Sequence, residues 1–447
     1  MCRARRACIT LVLAIVTVPL VAATTTYLTA KRDLGWEELA SDDGWAAQGS
    51  GTAGGAISDS PQEYVVTNRQ ELIAALNNGA YPPTSTTPSS GPKIIYVDGV
   101  IDANVDDNDR PLACADYYRD GYSLEAYLAA YDPEIWGRVA PSGPLENARV
   151  ASRNAQQSRV RIRVGSNTTI VGVDRRATVK GAWFDIRGAG RTNIIIRNLR
   201  FVDTYDCFPA WSPTDGASGN WNAEYDSISI RDGDHIWIDH NEFADVETID
   251  AKLPTYFGRL YQVHDGQLDI TNGANYVTAS WNWFRDHDKV MLIGSSDSST
   301  GDRNKLKVTL HHNVFDNVGQ RAPRVRFGQV HIYNNLYRIK GDANYQYSWG
   351  VGRESAIYAH DNFFRVDVGV DPATFISRFS GTAIVALRTL VNAAAQNHLV
   401  DVREAYNAAE DPDLTDAVGW VPALYGEVDP AYKLQAATAS GSGPFNW

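Results

Sequence analysis

A short phrase recurs through the middle of the chain: a β-branched apolar residue, an Asn five positions later and an aromatic residue two after that. It reads Ile236…Asn241-Glu-Phe243, Val277…Asn282-Trp-Phe284, Val308…Asn313-Val-Phe315, Val330…Asn335-Leu-Tyr337 and Ile357…Asn362-Phe-Phe364, with a looser copy in Asn198-Leu-Arg-Phe201. Steps of 41, 31, 22 and 27 residues are too irregular for a propeller or helical array but suit a coil whose turns vary in length. Positions five and three before the Asn are mostly apolar (Ile236/Ile238, Val308/Leu310, Val330/Ile332), the period-two mark of one buried strand face. An odd offset sends the Asn to the opposite face of a straight strand, so the chain is expected to bend just before it. Asn amides stacked at such a corner would hydrogen-bond along the axis and satisfy a buried bend. The pattern predicts an all-β chain: a right-handed parallel β-helix with long loops. An ordinary β-sandwich with Asn at its turns is the competing reading.

One solenoid can absorb most of the 447 residues, because each turn buries its face against the next. At the N-terminus, Arg3, Arg5 and Arg6 precede the apolar run Ile9 to Ala23, and Val21-Ala22-Ala23 offers a cleavage site. Residues 1–23 therefore read as a signal peptide rather than a membrane anchor, and the protein as secreted. Cys2 and Cys8 leave with the signal, and the remaining pair, Cys114 and Cys207, is expected to form a disulfide in an exported protein. Residues 24–60 are rich in Ala, Gly, Ser and Thr and read as a flexible leader. Residues 61–447 read as a single domain, with its first strand near Tyr64. From about 370 a terminal cap is expected, because Ile384, Leu387, Val391 and Ala394 fall on one helical stripe between Thr382 and Ala409.

The net charge of −12 argues against nucleic acid as a partner, and an acidic substrate would need local cations to hold it. The acidic run Asp102 to Asp109 lacks the Gly and Glu of an EF-hand and reads as a solvated loop. The corner Asn residues give a frame for counting. Asp226 precedes Asn241 by fifteen residues, and Asp265 and Asp269 precede Asn282 by seventeen and thirteen. Carboxylates thus hold similar stations on adjacent turns about 4.8 Å apart, so Glu224, Asp226, Asp265 and Asp269 can converge. Such a cluster needs protons or a cation, and an oxygen cage without Cys or His suits Ca²⁺. Downstream, Lys289 follows Asn282 by seven and Arg321 follows Asn313 by eight; Arg326 closes Arg321-Ala-Pro-Arg-Val-Arg326.

Several of these stretches together resemble the signatures of secreted bacterial pectate lyases. They are Trp237-Ile-Asp-His240, Asp265-Gly-Gln-Leu-Asp-Ile270, Val277-Thr-Ala-Ser-Trp-Asn282, His287-Asp-Lys-Val-Met-Leu-Ile-Gly294, Val308-Thr-Leu-His-His-Asn313, Arg321-Ala-Pro-Arg-Val-Arg-Phe-Gly328 and Val330-His-Ile-Tyr-Asn-Asn335. The resemblance is near-continuous from about 190 to 340 and weaker from about 62 to 190. It implies calcium-dependent β-elimination on polygalacturonate by a monomer without a membrane anchor. By the same resemblance, Asp226, Asp265 and Asp269 are calcium ligands, Arg321 takes the C5 proton, and Lys289 and Arg326 hold or neutralise the substrate carboxylate. Glu224 stands where some members have another ligand. His240 and Asp239 read as a structural polar pair.

Two relatives of this reading share the coil. A pectin lyase, acting on methyl-esterified chains without calcium, would be expected to lack the carboxylate cage. A polygalacturonase would use paired Asp residues for hydrolysis, and Arg338-Ile-Lys340 has only a superficial likeness to one of that family's tripeptides. A non-catalytic polysaccharide-binding coil is the third alternative, and the Lys289, Arg321 and Arg326 set argues against it.

Overall fold

The computed structural model describes residues 33–83, 85–341, 344–393 and 396–445; the signal-peptide expectation for 1–23 lies outside them. The recurrent phrase becomes the frame of the molecule. Strands pair in parallel from coil to coil on successive faces, right-handed as parallel crossovers almost always are. On one face Ile194, Ile236, Val277, Val308, Val330, Ile357 and Ile384 stand in register along the axis, all fully buried. The next inward row continues the pattern with Ile196, Ile238, Ala279, Leu310 and Ile332. Burial two residues apart on every strand explains why β-branched residues fill these positions.

At the corner after each strand the chain bends through a left-handed residue: His240, Trp281, His312, Asn334 and Asp361 have φ between +50° and +54°. The next residue is the Asn, and the five amides form a ladder. The Oδ1 of Asn282 accepts from the backbone N of Asn241 (3.0 Å) and its Nδ2 (3.1 Å), and the pattern repeats from Asn282 to Asn313, Asn335 and Asn362. Each such bond contributes on the order of 1 kcal/mol, and a buried amide left unpaired costs more. In the looser copy Asn198 takes the bend itself (φ +57°), and Leu199 stands at the ladder position, donating to Asn241 Oδ1 at 3.1 Å. Two residues further on, Phe201, Phe243, Phe284, Phe315, Tyr337 and Phe364 stack with centroids 4.3–5.2 Å apart, each pair adding about 0.5–1.5 kcal/mol beyond its buried area.

Two expectations need correction. From residue 33 the leader is not loose. Gly54 and Gly55 serve close approach rather than freedom: a Cβ on Gly54 would lie 2.2 Å from Thr169 Oγ1, and one on Gly55 2.3 Å from Lys93 O. Ala46 N donates to Thr278 Oγ1 (3.1 Å), Gly54 N to Asn193 Oδ1 (2.7 Å), and Leu39, Ala46 and Ala47 pack on Ile195 and Trp237. The segment covers the outer side of strands whose inner side faces the core. The helical stripe from Thr382 to Ala409 is also mostly strand: Ile384–Leu387 and Thr389–Ala393 continue the coil, Gln396–Val400 folds back antiparallel, and only Val402–Ala409 is helix. Ala394 lies outside the described residues. An available sheet edge outweighed local helical periodicity. The short helix buries Val402 and Tyr406 on the last coils, which keeps the expectation of a cap, and a second helix, Leu434–Gly441, seats Leu434 against Val314, Leu336 and Phe363.

Cys114 and Cys207 are bonded, tying the turn Cys114–Tyr117 to a lateral aromatic lobe that includes Tyr127, Phe208, Trp211 and Trp221. The acidic run is a turn: Asp106 Oδ1 accepts from Asn108 N and Arg110 N, and Asp107 pairs with Arg159 at 2.7 Å. His240 and Asp239 form the structural pair expected of them (2.6 Å), with Ser280 and Arg197 on the same carboxylate.

Candidate active site

Four successive coils carry the site residues outward from one parallel face. Strands Ile228–Asp239, Leu268–Thr271, Leu292–Ile293 and Arg324–Val325 are neighbours in that order. Because Ile230, Ile270, Ile293 and Val325 point inward and are fully buried, alternate positions such as Ser229 and Asp269, which pair directly, face out.

Asp226 and Asp269 are 2% and 8% exposed. Gly266 N donates to Asp226 Oδ1 (3.0 Å), Ser229 Oγ to its Oδ2, and Leu292 N to Asp269 Oδ1 (2.9 Å). These donors do not balance the charge. Burial first, then repulsion from Asp265, pushes the Asp226 carboxyl up to about 6. Asp269 is raised well above the ordinary carboxylate value, by burial and then by Asp226 and Asp265, with Arg321 acting the other way. A carboxylate perturbed by burial together with a named charge partner is a functional-site candidate. Asp226, Asp265 and Asp269 therefore share one electrostatic field.

Among the described residues no three acidic, His or Cys side chains stand as a finished ligand set; the carboxylates are turned to nearby donors, and Asp265 Oδ1 to Lys289 Nζ at 3.4 Å. The donor set nevertheless suits a hard cation. All three are anionic oxygens, two are raised in pKa by burial first and then by neighbouring carboxylates, and the missing side chain of Gly266 keeps the space between them open: a Cβ there would lie 2.5 Å from Asp269 Oδ1 and 2.9 Å from Asp226 Oδ1. Glu224 does not join them. Its half-exposed carboxylate is bonded to Arg153.

The cations lie on the next coils. Lys289 is 7% exposed. Arg321 turns the chain at φ +59°, its carbonyl accepts from Met291 N at 2.8 Å, and its buried Nε makes no hydrogen bond. The left-handed backbone of a non-Gly residue costs about 1–3 kcal/mol. Arg326 is held by Asp297 (2.7 Å) and by the carbonyls of Gly294 (2.9 Å) and Ser295 (3.4 Å). It is a fixed cation, and a substrate carboxylate would have to share it with Asp297.

Counting from the corners missed the network behind Asp265. His287 joins Asp245 Oδ2 to the Asp265 carbonyl, 2.8 Å on each side, and His264 joins Asp245 (3.6 Å) to Asp250 (2.9 Å). Burial alone would lower the His287 pKa, but Asp245 overrides it and raises the imidazole to about 9. The adjacency of His287 to Lys289 in the sequence was the available signal.

Fold and site together define a parallel β-helix enzyme that presents a carboxylate cluster backed by fixed cations. A family model described as pectate lyase matches residues 139–396. A pectate lyase of Bacillus subtilis is 47% identical over 420 residues, covering 93% of this chain and 95% of the relative, and pectate lyase E of Dickeya dadantii is 35% identical over 370 residues, 80% and 77%. Among solved structures, a thermostable pectate lyase superposes with a TM-score of 0.88 at 47% identity, covering 93% of this chain and 99% of its own. A pectate lyase bound to a hexasaccharide superposes with a TM-score of 0.85 at 46% identity, covering 92% and 99%. The chain belongs to the pectate lyase family and is a polysaccharide lyase. Among the described residues no helix is long and apolar enough to cross a membrane.

Proposed function

We propose that this protein is a secreted, calcium-dependent pectate lyase that cleaves (1→4)-α-D-galacturonan by β-elimination and releases 4,5-unsaturated oligogalacturonates. The observation that carries the reading is the shared field of Asp226, Asp265 and Asp269, two of them buried with raised pKa, beside Lys289 and Arg321. In this reading Asp226, Asp265 and Asp269 hold Ca²⁺, and Glu224, engaged by Arg153, stays outside the set. Bound calcium would neutralise the uronate carboxyl and so acidify the proton at C5.

The protein's own side chains account for the remaining steps. Lys289 takes one oxygen of the uronate carboxylate and stabilises charge developing on it, and Arg326, fixed by Asp297, orients a neighbouring carboxylate. Arg321 accepts the C5 proton. The C5–H electron pair becomes the C4–C5 double bond, the C4–O bond breaks, and the leaving oxygen takes a proton from water. A guanidinium is protonated near neutral pH, and freeing it costs on the order of 7 kcal/mol for about five pKa units. Alkaline solution lowers that cost.

Ultraviolet absorbance of the conjugated product, followed together with new reducing ends on polygalacturonate and on fully methyl-esterified pectin, tests the reading. Absorbance should rise with reducing ends on polygalacturonate. Reducing ends without absorbance would mean hydrolysis, and preference for the ester would favour a pectin lyase.

A further inference from the structure

On the N-terminal side of the acidic cluster the same parallel face becomes strongly basic. Arg161–Arg163, Trp183–Arg197 and Ile228–Asp239 follow one another in register, Arg161 opposite Trp183, Arg163 opposite Asp185, and Arg187 opposite Arg231. Ile162, Phe184, Ile186, Ile228 and Ile230 are fully buried, so alternation turns Arg161, Arg163, Arg187 and Arg231 outward. Arg191 joins them further along the same long strand. In a chain of net charge −12 this concentration is local.

These cations are only partly neutralised. Asp185 is taken by Arg161 (2.6 Å) and stands 3.4 Å from Arg187, and Asp226 is 4.0 Å from Arg231. Arg163 donates to Thr86 O and Arg191 to Arg187 O, carbonyls that carry no formal charge. Like charges directly opposite on neighbouring strands are destabilising, and an anion between Arg187 and Arg231 would relieve that pair. Trp183 lies beneath Arg161 and Arg231, 5.1 and 5.7 Å from its ring, and is no open stacking platform. The basic face runs into a cavity of about 640 Å³ lined by Arg161 and Arg163 with Tyr81, Ser85, Thr86 and Asn154. Counted in strand spacings, Arg163 lies about 14 Å from Asp269, and Arg187 about 10 Å from Thr271.

We propose that Arg163, Arg187 and Arg191 form a distal site for the carboxylates of a long polyuronate chain whose reacting sugar lies at the Asp226–Asp269 cluster. The inference rests on the pectate lyase reading and adds to it a preference for length. Each exposed contact is weak and salt-screened, but a polymer already held at the cluster presents its other carboxylates at high effective concentration. Short oligomers that end before Arg187 gain nothing.

The test is the double variant Arg187→Gln/Arg191→Gln, both on the outer surface, assayed on long polygalacturonate and on trigalacturonate at saturating calcium. KM for the polymer should rise about fivefold with kcat unchanged, and kcat/KM for the trimer should stay within about twofold. Arg187→Lys/Arg191→Lys should recover most of the polymer KM. Equal changes on both substrates, or no change on the polymer, overturn the distal site. Calorimetric titration with the polymer reads the site without turnover, and equal affinity of parent and Gln variant would also overturn it. A parent that binds the polymer through these arginines yet yields no unsaturated product would retain the site and sink the lyase reading.

Discussion

The Cβ that Gly266 lacks would stand 2.5 Å from Asp269 Oδ1, inside any normal contact. Gly266 thus keeps open the space the carboxylates share, and its own N–H steadies Asp226. Gly266→Ala should raise the calcium concentration for half-maximal activity at least about tenfold, while the far-UV spectrum stays that of the parent. An unchanged calcium requirement would show that this gap is not the metal's.

Asp265→Asn and Asp269→Asn each remove one anionic oxygen donor. Both should shift the calcium activation curve to higher concentration, and Asp269→Asn, by deleting a buried and repelled charge, should leave the metal-free protein as stable as the parent or slightly more so. Activation curves for both variants that overlay the parent's would place the metal elsewhere.

The Asn corners, the inward rows and the three Asp stations were legible because each depends on local period and on counting along a coil. Partners set by tertiary approach were not. Nothing in the order of residues signals that Arg153 takes Glu224, that Asp297 takes Arg326, or that the glycines of residues 49–55 include Gly54 and Gly55, pressed against Thr169 and Lys93. The segment from Ile384 carries a helical stripe and forms strand because Ile357 offers an unpaired edge that continues the row.

His287 should set an alkaline limit on stability. Its folded pKa of about 9 lies above the ordinary 6.5, so the stability it contributes is fully present below about pH 6.5 and is lost as pH rises through about 9. Thermal melts of the parent should fall across that window by a few degrees. Asp245→Asn removes the partner that raises the pKa and should flatten the fall while lowering the melt at neutral pH; an unchanged slope would contradict the assignment.

Arg321→Lys keeps a positive charge but changes reach and geometry. If Arg321 takes the C5 proton, the variant should bind oligogalacturonate nearly as the parent does and turn it over at least about a hundredfold more slowly. Its activity should also lose the parent's rise toward alkaline pH. A loss confined to binding, with near-normal turnover at saturation, would make Arg321 a clamp and remove the base from this mechanism.

Removal of the metal addresses the whole account. The acidic cluster lies on the outside of a coil held by its own apolar rows, Asn ladder and ring stack, so in the proposed reading calcium serves the chemistry and not the fold. Purified protein should be assayed on polygalacturonate by the absorbance of unsaturated product, with calcium and then with excess chelator, alongside its far-UV spectrum. The account predicts that absorbance ceases in chelator, returns on adding calcium, and that the spectrum does not change; undiminished production of unsaturated product in excess chelator would contradict it.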